Sequence, residues 1–367
     1  MTDCLGAGDC LDLPTTLLGT DGDDLLITRG GADLISAGSG DDTLIGGLGK
    51  DTLQGADGDD LIVGGFINSE SLGISAELSE ELVPNIPGLE KQHPSVFAER
   101  LSGGAGNDRL VGGSWNDEDN DGHIDFTIYG GELLLSQTDL RISWGFNNEI
   151  WGGEGSDSLF GENGFDTLGG GAGDDVLFGF GGVDIIYGGS GNDWINGGSG
   201  DPEIIELADG SSITLIQTLF GGDGNDRITG GDGVDYIYGG SGEDRIFSEG
   251  GNDRIWGGEG NDTIFDSLGN DTMTGGEGND VFNFTGNSGQ SNVITDFNTE
   301  EDTLNFLSTD IQADVDRLIS DATEQTVEGV SGLLIEVTSI ETLFLIGLTE
   351  ADIGSIVAVA ALVEAVM

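Results

Sequence analysis

Over long stretches of this chain a glycine is followed two places later by an aspartate and two places after that by a large apolar residue, and the triplet returns every nine residues. Phased from Gly19, five consecutive nonads run to Val63, one stands alone at 103–111, five run from Gly152 to Asn196 and seven from Gly221 to Asn283. In all eighteen the fourth residue is Gly, the sixth is Asp and the eighth is Leu, Ile, Met or Phe. A unit this short cannot bury an apolar face alone, so successive copies must stack to make a core. The chain has 69 glycines against 5 prolines in 367 residues, a usage far outside that of globular domains.

Glycine is needed where the backbone takes positive φ or approaches another backbone closely, so the first six residues of each nonad read as a tight loop. The last three, such as Thr263-Ile264-Phe265, are β-formers and read as a short strand whose middle side chain points inward. The next loop and strand return on the opposite side. Two nonads then complete a coil of 18 residues, and two parallel sheets face each other across a thin apolar core.

The acid excess is 69 Asp plus Glu against 10 Lys plus Arg, a formal charge of -59. Such a charge opposes any compact state without counter-ions and excludes nucleic acid as a partner. Disorder is disfavoured because 36% of the residues are hydrophobic and they are evenly spaced. Multivalent cations are the natural complement.

The nonad Gly257-Gly258-Glu259-Gly260-Asn261-Asp262-Thr263-Ile264-Phe265 resembles the RTX (repeats-in-toxin, hemolysin-type) calcium-binding β-roll. The resemblance implies an all-β fold, a right-handed parallel β-roll or β-solenoid with inserts and a C-terminal β-rich cap. It also implies that the sixth-position aspartates and loop carbonyls of successive coils enclose Ca²⁺. Carried over by position, the ligands are Asp24, Asp33, Asp42, Asp51, Asp60, Asp108, Asp157, Asp166, Asp175, Asp184, Asp193, Asp226, Asp235, Asp244, Asp253, Asp262, Asp271 and Asp280. Nonads that open with Thr28-Arg29, Ser248-Glu249 and Asp266-Ser267 lack the leading glycines and are expected to bind calcium less well.

Elementary energetics agree that a metal is needed. One buried Leu or Ile per nonad contributes about 1.5–3 kcal/mol, whereas ordering each residue costs about 1–2 kcal/mol, and stacked aspartates repel one another. Hard oxygen donors in a flexible loop suit Ca²⁺ better than Mg²⁺ or Zn²⁺. Multiple ions are expected, about eleven if each is shared by loops two repeats apart.

The expected organisation is an N-terminal segment at 1–18, a β-roll at 19–283, a capping region at 284–348 and a C-terminal secretion signal at 349–367. Inserts at about 66–98, 118–147 and 202–216 break the phase, which resumes at Leu101, Ile150 and Leu219, so the solenoid is expected to continue across them. The first insert reads as a short helix with an irregular return. The second holds Asp117, Asp119, Asp121 and Asp125 at the spacing of a DxDxDGxxD calcium loop, and Asp117 is also the sixth position of the interrupted repeat, so the two readings compete for it. The third reads as a hairpin about Asp209-Gly210 that widens one sheet edge.

Catalytic parts are missing from the sequence. His93 and His123 are the only histidines and form no HExxH motif, no GxSxG elbow occurs, and the carboxylates are committed to calcium loops. Cys4 and Cys10 are too few for a disulfide framework. No cleaved secretion signal is legible at the N-terminus, and no apolar run is long enough to span a bilayer as a helix. The expected protein is secreted by a type I system, non-enzymatic and folded by calcium, an extracellular structural, self-assembling or adhesive scaffold. A homo-oligomer or filament and a cell-surface or glycan contact are its expected partners. A calcium-dependent binding or accessory module is the alternative.

Overall fold

The computed structural model describes residues 14–28, 31–47, 50–65, 100–106, 108–112, 147–161, 163–200, 204–206, 212–214, 216–266, 268–284, 290–306, 322–327, 330–338 and 341–352. Among these residues strands are the regular structure, joined only by a 3-10 turn at Glu350–Asp352. No helix among them is long and apolar enough to cross a membrane. The chain divides into two units, Met1–Ala172 and Gly173–Met367. Each is built as a parallel β-roll of two sheets.

In the N-terminal unit the first sheet holds Thr16–Leu18, Leu34–Ser39, Thr52–Asp57, Arg100–Ala105, Glu149–Glu154 and Thr167–Ala172. The second holds Leu25–Ile27, Thr43–Ile45, Leu61–Val63, Arg109–Val111 and Ser158–Phe160. Parallel register aligns Leu17, Ile35, Leu53, Leu101, Ile150 and Leu168 in one file. Leu26, Leu44, Ile62, Leu110 and Leu159 form the facing file. Beyond Leu17 and Leu26, the first described member of each file, these side chains are fully buried. Leu101 pairs with Leu53 and Ile150 with Leu101, so the coil is in register on both sides of the first two inserts.

In the C-terminal unit one file runs Leu177, Ile195, Ile228, Ile246, Ile264, Phe282 and Leu304. The other runs Ile186, Leu219, Ile237, Ile255, Met273, Ile294 and Leu345. Parallel pairing stops at Glu341–Ile346, which pairs antiparallel with Val330–Thr338, itself antiparallel to Thr323–Val327. This reversal, with Leu333, Ile335 and Leu343 buried beneath it, covers the strand edge that a solenoid otherwise exposes. Phe297 packs on Phe282 with ring centroids 6.1 Å apart.

Two details differ from the sequence reading. Strands of the first sheet run to six residues, as in Leu34–Ser39 and Thr52–Asp57, because the first three residues of the following loop stay extended alongside the neighbouring coil. The third insert contains the expected antiparallel ribbon, Ile204–Glu206 with Ser212–Thr214, but it is a sheet by itself and widens neither of the others. The helix expected in the first insert lies outside the described residues.

Glycine at the second and fourth positions answers two demands at once. Gly258 and Gly260 both have φ +126°, and a Cβ on them would strike the carbonyls of Gly240 and Gly242 in the preceding coil. At the second position Ala56, Phe180 and Glu249 hold φ of 100°, 74° and 69°. These three accept the left-handed backbone at a steric cost. Ninth-position aromatics stack along the coils of the C-terminal unit, Tyr187 on Phe220 at 5.0 Å, Phe220 on Tyr238 at 4.9 Å and Tyr238 on Trp256 at 4.5 Å. Phe247 stacks on Phe265 in the other sheet. The rings cover one another's faces, which is the ordinary way a parallel ladder shields its aromatics.

Candidate metal centre

Each loop ends on its aspartate just before the strand, and the carboxylate is split between two tasks. Oδ1 accepts a hydrogen bond from the backbone N–H of the sixth-position residue one coil earlier. In the N-terminal unit Asp33 accepts from Thr15, Asp42 from Asp24, Asp51 from Asp33, Asp60 from Asp42, Asp108 from Asp60, Asp157 from Asp108 and Asp166 from Asn148, all at 2.6–2.8 Å. In the C-terminal unit Asp193, Asp226, Asp244, Asp262 and Asp280 form one such ladder, begun by the N–H of Asp175, and Asp253 and Asp271 belong to another, begun by that of Asp235. Asp184 is likewise buried.

Oδ2 turns inward. In Asp33, Asp42, Asp60, Asp108, Asp193, Asp226, Asp235, Asp244, Asp253, Asp262, Asp271 and Asp280 it is buried and without a hydrogen-bond partner. An orphaned carboxylate oxygen is costly, so each marks a place where a cation would be stabilising. Asp24 is the exception: it is half-buried, and its Oδ2 accepts from the Thr20 N–H at 2.6 Å and the Thr20 hydroxyl at 2.9 Å.

A main-chain oxygen converges on the same point. A Cβ built on Gly230 would lie 2.7 Å from Asp235 Oδ2 and 2.7 Å from the Ser248 carbonyl. One on Gly46 would lie 2.5 Å from Asp51 Oδ2 and 2.6 Å from the Gly64 carbonyl. The same cradle of first-position glycine, sixth-position carboxylate and next-coil carbonyl recurs at Gly152, Gly179, Gly188, Gly221, Gly239 and Gly257. The first glycine is therefore required for space rather than for φ. An oxygen-only donor set of this spacing fits Ca²⁺, which bonds oxygens at about 2.3–2.6 Å. Among the described residues no three acidic, His or Cys side chains gather at one point, and each cradle pairs a carboxylate with main-chain oxygen.

Electrostatics point the same way. Burial pushes the carboxyls of Asp51, Asp60, Asp157, Asp226, Asp262 and Asp280 up to about 6, and those of Asp108, Asp193, Asp235 and Asp244 up to about 7. Asp253 reaches about 8, through burial and then the charge of Asp271. A bound cation would reverse that penalty by neutralising the charge where it is buried.

Four sixth-position residues are not evident from the intact nonads. Asn148, Gln217, Asn292 and Asp302 occupy the sixth position in the coils that return from inserts or enter the cap, and all four are buried. Asn292 and Asp302 accept from the Asp271 and Asp280 N–H groups at 2.9 and 3.1 Å. Each stands two places before a buried apolar residue, Ile150, Leu219, Ile294 or Leu304, and counting back from those would have found them. A second ladder was also overlooked at the fifth position, where Asp23, Asp41, Asp174, Asn192, Asn225 and Asn261 accept from the backbone N–H of the next coil. Asp117, Asp119, Asp121 and Asp125 lie outside the described residues, as do Cys4, Cys10, His93 and His123.

Files of buried oxygen cradles on a parallel β-roll define a repeat solenoid of the calcium-binding kind. The family model for the RTX calcium-binding nonapeptide repeat matches residues 15–44, 36–66, 96–117, 145–168, 178–201, 216–246 and 247–282. These segments make up just over half of the chain, which belongs to the RTX calcium-binding repeat family. No curated protein matches it.

Proposed function

We propose that the protein is a secreted calcium-binding scaffold that calcium folds, with multiple ions held between successive loops by the eighteen sixth-position aspartates and by carbonyls of the next coil. The observation that carries this reading is the recurring buried Oδ2 beside a converging carbonyl, as at Asp235 and the Ser248 carbonyl. Calcium there supplies positive charge in a site that water does not reach. The chain's own residues position it: first-position glycines leave the space, Oδ1 fixes each carboxylate to the previous coil, and the eighth-position files hold the coils in register. Asp117, Asp119, Asp121 and Asp125 form a separate loop site in this reading. The carboxylates serve binding rather than catalysis, and export is by a type I system.

Asp244→Ala tests the assignment, because Asp244 lies inside the longest run of nonads. Metal analysis of the calcium-loaded protein is expected to show a loss of one or two ions per chain and a lower melting temperature. Asp209→Ala, in the third insert, is expected to change neither. Unchanged metal content in Asp244→Ala contradicts the assignment.

The scaffold role rests on the end of the N-terminal unit. Thr16–Leu18 and Leu25–Ile27 are the outermost strands of their sheets among the described residues, and Leu18 and Leu25 are 74% and 51% exposed. Such an edge recruits another copy, and a head-to-tail contact propagates into a filament. Electron microscopy in millimolar calcium is expected to show ordered assemblies that Leu26→Lys abolishes. Discrete monomeric particles would favour the binding-module alternative.

A further inference from the structure

The repeats differ according to the sheet they feed. Loops that lead into the second sheet keep aspartate at the sixth position in every described coil, from Asp24 to Asp157 in the N-terminal unit and from Asp175 to Asp280, then Asp302, in the C-terminal unit. Through Asp280 their first position is glycine except at Ala37. Loops that lead into the first sheet carry all three inserts. They also carry Thr28, Ser248 and Asp266 at the first position and Asn148, Gln217 and Asn292 at the sixth.

Two of these substitutions change the chemistry of the cradle in the same way. In the Asn148 coil the first-position glycine is Gly112, and a Cβ on it would lie 2.6 Å from Asn148 Nδ2 and 3.0 Å from the Gly161 carbonyl. The amide nitrogen thus stands where other coils place the carboxylate oxygen, and it donates to the Gly161 carbonyl at 2.8 Å. Gln217 repeats the arrangement beside Gly197, where Nε2 donates to the Gly230 carbonyl at 2.9 Å and to Asp235 Oδ1 at 3.1 Å. Both side chains are buried, at 3% and 1% exposure. The carbonyl that would face a cation is already satisfied, and the group that faces it is a donor whose hydrogens repel positive charge. Gln217 Oε1 remains, as a single neutral oxygen. In the Asp33 coil the buried Thr28 hydroxyl donates to the Gly46 carbonyl at 2.5 Å, while Asp33 Oδ2 keeps no partner.

We propose that within each unit the two edges of the β-roll are chemically distinct: the insert-return step, at Asn148 in the N-terminal unit and at Gln217 in the C-terminal unit, is closed by its own amide in place of an ion, while the opposite edge of that unit takes calcium at successive steps. Asn148 and Gln217 stand where the chain returns from the second and third inserts, so the coils at those returns are joined by hydrogen bonds that need no metal. The inference rests on the reading of the aspartate cradles as calcium sites and adds which steps are exempt from it.

Calcium bound per full-length chain, counted by elemental analysis after equilibration and confirmed by titration calorimetry, tests it. Asn148→Asp and Gln217→Asp recreate the cradle and are each expected to raise the count by one, whereas Asn148→Ala is expected to leave it unchanged. Two independent positions guard against one variant failing to fold. If Asp244→Ala lowers the count but neither Asn148→Asp nor Gln217→Asp raises it, the exemption is overturned and the cradle reading stands. A lower count in Asn148→Ala would also overturn it, since that step would then hold an ion. A wild-type chain that binds no calcium overturns both.

Discussion

At the scale of single residues the sixth-position aspartate couples two equilibria. Its carboxyl is pushed upward by burial, to about 7 at Asp244 and about 8 at Asp253, against an ordinary value near 3.9 in the unfolded chain. Folding without a cation therefore takes up protons. The contribution favours the folded state fully below about pH 4 and is lost as pH rises through about 6–8. Calcium held at these carboxylates, as proposed, would compete with those protons. Metal-free protein, exhaustively dialysed, is expected to gain β structure by circular dichroism when taken from pH 8 to pH 5, and the calcium midpoint is expected to rise over the same interval. β content that falls on acidification contradicts the burial of these groups. The recurrence of the aspartates was legible in the sequence because their spacing is strict. It did not separate the roles of Oδ1 and Oδ2, since the N–H that Oδ1 accepts comes from a residue 18 or more places away.

At the scale of the element, the unit of stability is one rung of the eighth-position file. Ile246 is fully buried and stacks between Ile228 and Ile264 in parallel register. Ile246→Ala is expected to destabilise the calcium-loaded C-terminal unit by about 2–5 kcal/mol through lost burial and a residual cavity, measured by denaturant unfolding at saturating calcium. Ninth-position substitutions such as Tyr187→Ala, at a half-exposed site, are expected to cost much less. The inward direction of residue eight was legible from the three-residue β-former pattern, and the register from the constant period. Strand length was not, because extension of loop positions one to three depends on close approach to the neighbouring coil, which only the folded backbone reveals. The third insert was legible as a ribbon from its alternating apolar residues around Asp209-Gly210. That it pairs only with itself was not, since a hairpin pattern does not say which edge it meets.

At the scale of the whole molecule, the governing quantity is a formal charge of -59 set against two thin apolar files in each unit. Eighth-position burial contributes about 1.5–3 kcal/mol per nonad, and ordering costs about 1–2 kcal/mol per residue. The chain therefore lacks the means to hold this fold by burial alone while its aspartates are ionised and unpaired. Calcium, in this account, is a component of the core rather than an accessory to it. Circular dichroism of the full chain at pH 8 during a calcium titration tests that claim most directly. The account predicts a largely unfolded spectrum in excess chelator and a cooperative rise of β signal as calcium is added, reversed on chelation. A fully folded β spectrum that persists in excess chelator at that pH would contradict it.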